Sequence, residues 1–376
     1  MNSFAEELSQ ARKLKGYSQA NLAKAISYDR SYVSKLESGE RTPSERETVL
    51  KIISFLETDL YLSNKLLILA NFEPNINTRE SYKTCLKLIE EFKNKGLLKK
   101  AKDIIRSLKE SSSNKFDFTV ILAYSYLLEK DYRKAIENYQ NAVEDYDNNI
   151  RNTCITKAET IHNLGNVYFE RGLENKKALE HEFMTQLENN YSNPEFIEKL
   201  KAEITGDFSI DHDKFKQALM LQPGHSHIID QLSRICLNWS SIEVNNAKYL
   251  KDSIYYYEKI INSENSCQIE PSKKLQASIY TALCLGRLKE FSQAKTLINT
   301  IINNSPGIDE GHYIKGCIYS LNSNNNPDIL GFAFESLKKV IEINPVFKER
   351  IKWSKDLLNL RFNPNFKNEF RSLYEN

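Results

Sequence analysis

The stretch SQANLAKAISYDRSYVSKLESGERTPS, residues Ser18–Ser44, holds two helix-sized segments and very little apolar surface. Ser18 is placed to cap the first segment, whose inward residues are Leu22, Ala23 and Ile26. A three-residue break follows, Ser27-Tyr28-Asp29, and Asp29 can cap a second helix over Arg30–Ser38. Only Val33 and Leu36 of that second helix are expected to face inward, and Gly39 stops it. Its outer face carries Arg30, Ser31, Ser34 and Lys35. A helix that commits so little of itself to the core leaves its polar face for something else.

The flanking residues say what that is. Phe4–Lys15 reads as a helix with Leu8, Ala11 and Leu14 on one face, ended by Gly16. Ser44 and Glu47 are expected to form a capping box that opens a further helix with Leu50, Ile53 and Leu56 inward. Two short helices joined by a tight turn and backed by amphipathic helices make a helix-turn-helix arrangement, five helices in all. Its second helix lies in the DNA major groove. Arg30, Ser31, Ser34 and Lys35 are therefore the expected base-contacting residues, since arginine forks onto guanine O6 and N7 and hydroxyls meet several base edges. Gln19 and Arg41 flank that helix and are the expected phosphate contacts.

The same stretch resembles the Xre-type, phage-repressor helix-turn-helix family. The matching residues are Gln19, Leu22, Ala23, Ser31, Val33, Ser34, Leu36, Glu37, Gly39, Arg41 and Pro43. The resemblance implies a pair between Arg12 and Glu37 that ties the first helix to the end of the recognition helix. Two positions depart from the family: Ser27 stands where a glycine is usual, and Tyr28 where a small aliphatic residue is usual.

The rest of the chain shows a repeat. LAYSYLLEKDYRKAIENYQNAVE carries Leu122, Ala123, Tyr126, Ala135, Tyr139 and Ala142 at the small and large positions of a two-helix unit. A preceding copy holds Leu88, Phe92, Ala101 and Ile105, and Ala101 stands 34 residues before Ala135. Further copies hold Leu164, Gly165, Tyr168 and Ala178; Ala282, Leu285, Ala294 and Ile298; and Gly316, Tyr319, Ala333 and Leu337. Leu232–Ile261 fits more loosely, and residues 180–224 break the period. This pattern is similar to the tetratricopeptide repeat. The expected organisation is a helix-turn-helix domain at 1–60, a linker helix at 61–80, an array of five or six repeats at 81–345, and capping helices at 346–376. The fold class is all-α, the array being a right-handed superhelix. First-helix side chains of such an array line a concave groove, which makes Tyr124, His162, Asn163, Asn166, Gln276, Tyr280, Arg287 and Tyr313 the expected peptide-binding residues. Asparagine amides pair with a peptide N–H and C=O together, and Arg287 suits a carboxylate.

Composition narrows the alternatives. The chain has 376 residues, 40% of them hydrophobic, with only 12 Gly and 9 Pro, which favours long helices over a turn-rich β fold. Net charge is +2, and residues 1–60 hold nine Lys+Arg and nine Asp+Glu, so DNA binding there needs cations clustered on one face. Six cysteines lie no closer than 17 residues apart and are expected as buried thiols of a reducing cytoplasm. His225 with His227, and Asp211 to Asp213, are read as solvated polar turns rather than metal ligands. Nucleotide-binding and hydrolase motifs are not found, so no enzyme activity, cofactor or metal is expected, and no membrane segment either. Reader plus repeats resembles the peptide-pheromone-sensing RRNPP regulators. The resemblance implies a cytoplasmic homodimer that binds an operator in double-stranded DNA and changes that binding when a short signalling peptide enters the groove. The alternative is a regulator or scaffold whose array binds a protein partner.

Overall fold

The computed structural model describes residues 4–75, 79–111, 115–149, 153, 155–189, 194–242, 247–263, 269–324 and 326–375. Among the described residues every regular element is helical. The helices are α1 Phe4–Leu14, α2 Gln19–Ile26, α3 Arg30–Ser38, α4 Arg46–Leu56, α5 Leu60–Leu69, α6 Arg79–Asn94, α7 Leu98–Ser111, α8 Lys115–Leu128, α9 Tyr132–Asn149 and α10 Lys157–Asn189. They continue with α11 Pro194–Leu221, α12 Ser226–Trp239, α13 Ala247–Ile261, α14 Pro271–Arg287, α15 Phe291–Asn304, α16 Asp309–Leu321 and α17 Pro327–Ile343. The chain ends in α18 Phe347–Trp353, a 3-10 turn Lys355–Leu357, α19 Leu358–Phe362 and α20 Lys367–Glu375. It divides into two compact units, Met1–Val167 and Tyr168–Asn376. No described helix is long and apolar enough to cross a membrane.

In the first unit α1 to α5 close around Leu8, Leu22, Ile26, Val33, Leu36, Ile52 and Leu56, all fully buried. The caps explain where α2 and α3 begin and end. Ser18 and Asn21 form a reciprocal capping box on α2. Asp29 accepts the Tyr32 N–H at 2.8 Å to start α3. Gly39 ends α3 at φ 78°. Ser27 ends α2 at φ 62°, ψ 40°, in the left-handed region where a glycine would sit without strain.

Four expectations for this domain need correction. Leu14 is 80% exposed, and Arg12 takes an inward place on α1 instead, because Glu37 and the Tyr17 carbonyl satisfy its guanidinium. Tyr32 joins Val33 and Leu36 as a third buried residue of α3. The Ser44–Glu47 capping box does not form. Helix α4 starts after Glu45 without a side-chain cap, and buries Val49, Ile52 and Leu56 rather than Leu50 and Ile53. Its sequence VLKIISFL offers two overlapping apolar stripes, so periodicity alone could not choose between them.

The helices after α5 fall into consecutive pairs: α6/α7, α8/α9, α10/α11, α12/α13, α14/α15 and α16/α17. Small residues sit where paired helices approach: Ala101, Ala135, Ala282, Ala294 and Ala333 are buried. A Cβ on Gly316 would lie 2.7 Å from Leu337 Cδ2, which shows how closely α16 meets α17. One expected repeat is not a helix pair. Residues Leu164 to Ala178 lie within the single 33-residue helix α10. Gly172 of that helix admits the Phe208 ring of α11, whose Cε1 would be 2.6 Å from a Cβ at that position. The irregular stretch 180–224 is accordingly helical over 180–189 and 194–221, the end of α10 and α11, and turns at 222–224. Asp211 belongs to α11 and is fully buried, not solvated, and burial raises its pKa well above the usual carboxylate range. Cys85, Cys236, Cys284 and Cys317 are buried and in no disulfide, while Cys154 and Cys267 lie outside the described residues.

Candidate nucleic-acid interface and repeat faces

Helix α3 shows how a nearly coreless helix is held still. Tyr32, Val33 and Leu36 anchor its inner side. At its end Glu37 takes a fork from Arg12: Nε to Oε1 at 2.6 Å and Nη2 to Oε2 at 2.8 Å. Both side chains are nearly buried, at 9% and 6% exposure. Arg12 also donates to the Tyr17 carbonyl at 2.6 Å, and Gln19 donates to Glu37 Oε2 at 3.0 Å. Burial works against the Glu37 carboxylate, but the bonds from Arg12 and Gln19 outweigh it and hold its pKa below the ordinary value. The pair therefore fastens α1 and the start of α2 to the C-terminal turn of α3, a bidentate geometry that only arginine supplies.

The outer face is open. Arg30, Ser31, Ser34 and Lys35 are all exposed on α3. The Ser31 hydroxyl donates to Asp29 Oδ1 at 2.6 Å, so it serves the helix cap as well. That bond and the Tyr32 N–H hold the Asp29 pKa low. Arg41 is exposed, with its guanidinium 4.9 Å from the centre of the Tyr32 ring. Tyr28 stacks on that ring at 4.1 Å. Gln19 is half-buried and its amide N–H is given to Glu37, leaving its carbonyl end and its other N–H for a further partner.

A second ionic cluster joins this domain to the first repeat. Lys65 of α5 lies 2.7 Å from Glu7 of α1 and 2.9 Å from Glu91 of α6. Tyr61 and Lys95 also bond Glu91. Burial disfavours the Glu91 carboxylate, yet those three donors hold its pKa down at about 2. Sequence reading missed this triad, because its members are 26 or more residues apart with no local pattern.

The expected groove residues divide by unit. In the first, Tyr124 is half-buried and donates to Glu90, the residue 34 positions earlier. That is one repeat period, so equivalent faces of α6 and α8 meet there. His162, Asn163 and Asn166 share the first turns of α10 and are half-buried. In the second unit Gln276 is exposed and Tyr280 half-buried on α14. Tyr313 is 4% exposed and so does not line an open groove: Phe347 packs 5.5 Å away and the Arg350 guanidinium covers its ring at 4.2 Å. Arg287 holds a carboxylate in a fork, as its chemistry suggests, but the carboxylate is the chain's own Asp356, at 2.8 Å from Nη2. The chain's own residues 347–357 thus take two of the expected positions. Asp356 is 69 residues from Arg287, and no sequence pattern links them.

Comparison with known proteins bears on both parts. Residues 8–62 match the helix-turn-helix family model, and residues 120–149 match a tetratricopeptide repeat model. No curated protein sequence matches the chain. Among solved structures it is similar to Bacillus thuringiensis PlcR in complex with the peptide PapR7 and DNA. That match has 16% identity and a TM-score of 0.35, and covers 85% of this chain and 99% of PlcR. The chain therefore carries a helix-turn-helix segment followed by tetratricopeptide-repeat sequence.

Proposed function

We propose that the chain is a DNA-binding transcription regulator whose repeat array senses a short signalling peptide and changes operator binding in response. The observation that carries the DNA-binding half is α3. It is capped by Asp29, pinned by Arg12 through Glu37, and presents Arg30, Ser31, Ser34 and Lys35 to solvent. Those are base-reading side chains on a rigid element, and Arg41 and Gln19 flank them for phosphate contact. A homodimer would place two such helices on inverted half-sites about one helical turn, ~34 Å, apart.

The sensing half rests on the half-buried polar side chains of the first repeat helices. Asn163 and Asn166 stand one turn apart on α10, and Tyr124 occupies the equivalent face of α8. Amides there suit capture of an extended backbone. A ligand changes operator affinity only by binding one state of the protein more tightly than another. The test is calorimetry of the full chain with synthetic peptides encoded by small open reading frames beside its gene, repeated with operator DNA bound. Peptide binding that shifts DNA affinity supports the reading. Absence of any peptide binding, with a folded protein co-purifying instead, would replace the peptide by a protein partner.

A further inference from the structure

The second unit contains a group of charges that its own ion pairs leave unbalanced. Arg287 of α14 forks onto Asp356, and its Nη1 also donates to the Leu237 carbonyl at 3.4 Å. Leu237 is next to Asn238 at the end of α12, and Asn238 Oδ1 accepts from Lys176 Nζ of α10 at 3.0 Å. Lys176 pairs with Glu180 at 3.2 Å. On the other side of Asp356, Lys355 lies 4.7 Å from the Phe183 ring of α10, and Trp353 packs on His181 at 4.6 Å. The 3-10 turn therefore brings Lys355 and Asp356 against α10 and α14 together. The cations Lys176, Arg287 and Lys355, with Lys201 near the last of them, act on one another around the two carboxylates Glu180 and Asp356.

Two features make this more than a structural ion pair. Burial lowers the pKa of Lys176 more than Glu180 and Asp356 restore it, and burial with the neighbouring cations Lys176, Lys201 and Arg287 lowers that of Lys355 more than Glu180 restores it. Asp356 also sits on a three-residue turn rather than within a long helix, and its carboxylate is 13% exposed. A side-chain rotation can release Arg287 while Leu357 and Ile351, both fully buried, keep the segment in place. A second ion pair, Arg350 with Glu310 at 2.7 Å, holds α18 to α16 independently.

We infer that Arg287, Lys176 and Lys355 form a carboxylate-binding site whose resident occupant is Asp356, and that a ligand's carboxylate competes with Asp356 for the Arg287 fork. The inference rests on the ligand-sensing reading for the source of that carboxylate, a peptide C-terminus, with a free organic acid as the other source of the same chemistry. Self-occupancy sets a threshold. A site free about a tenth of the time weakens apparent affinity about tenfold, and removing the occupant restores it.

The test is an NMR titration of the full chain with three probes: citrate, trialanine as the free acid, and trialanine amide. Asp356→Asn keeps the shape of the turn but removes the competing charge. Citrate and trialanine acid are expected to bind Asp356→Asn about tenfold more tightly than the unaltered protein, and trialanine amide no more tightly. Adding Arg287→Met should abolish the gain, and adding Lys355→Met should reduce it several-fold. That second double variant leaves Arg287 in place, so it still reads the site if the first fails to fold, which circular dichroism checks. No gain in Asp356→Asn, or equal binding of the acid and the amide, would overturn the site. Citrate gaining affinity while no peptide from the neighbouring frames binds would leave the site standing and remove the peptide reading instead.

Discussion

Replacing Arg12 by Met tests whether the recognition helix is held by charge or by packing. The substitution keeps most of the aliphatic stem and removes the guanidinium. Glu37 would then be a carboxylate at 6% exposure with only the Gln19 amide, 3.0 Å away, and the Tyr17 carbonyl would lose its donor. Breaking a buried pair by removing one partner costs about 3–5 kcal/mol. Removing both charges, in Arg12→Met with Glu37→Gln, should cost about 1 kcal/mol, since a neutral amide can still bond Gln19. A coupling energy of roughly 2 kcal/mol or more between the two sites follows. Hydrogen exchange of the Arg30–Ser38 amides in the full chain reads this locally. The single variant should exchange on the order of a hundredfold to a thousandfold or more faster, and the double variant within roughly tenfold of the unaltered protein. Acidity provides an internal control. The Glu37 pKa in the fold lies below its unfolded value of about 4.3, so the pair's contribution is complete above that pH and is lost as pH falls through the folded pKa. The difference between Arg12→Met and the unaltered protein should therefore shrink in acid. A change of less than about threefold in exchange at neutral pH would refute the reasoning, because it would rank this pair with exposed surface ion pairs.

Other perturbations separate further parts of the account. Lys65→Met leaves buried Glu7 and half-buried Glu91 without the cation they share, and should destabilise α5 by about 3 kcal/mol, seen as faster exchange over Leu60–Leu69; unchanged exchange would make the triad ornamental. Ser27→Gly relieves the left-handed φ of 62° and should raise stability by about 0.5 kcal/mol, measured as a higher melting midpoint. Gly172→Ala would stabilise an open helix by about 1 kcal/mol, but the Phe208 ring in its way should reverse the sign and lower the midpoint.

The helix-turn-helix was legible because its determinants are local. Ser18, Asp29 and Gly39 sit at fixed offsets from Leu22, Val33 and Leu36, and caps and periodicity act over a few residues. Even there, Arg12 replaced Leu14 on the inner side, since a charge can be buried once a distant Glu37 pairs with it. The repeats were legible through small residues, which mark close helix approach. The same small-residue pattern misplaced one repeat: Leu164, Gly165, Tyr168 and Ala178 all lie within the single helix α10. The groove was least legible. Position within a repeat says that Arg287 and Tyr313 lie on a first helix, but not that Asp356 and Arg350 cover them, because those contacts come from chain segments tens of residues away.

The central claim is that the polar face of α3 reads DNA, and electrophoretic or fluorescence titration of the DNA flanking the gene tests it most directly. Arg30→Ala with Lys35→Ala removes two exposed cations from that face without touching Tyr32, Val33 or Leu36. At about 1–3 kcal/mol for a base contact, the double variant should lose roughly fiftyfold or more in specific affinity, with non-specific binding and the melting midpoint far less affected. Operator binding by the double variant equal to that of the unaltered protein would contradict the placement of α3 in the groove.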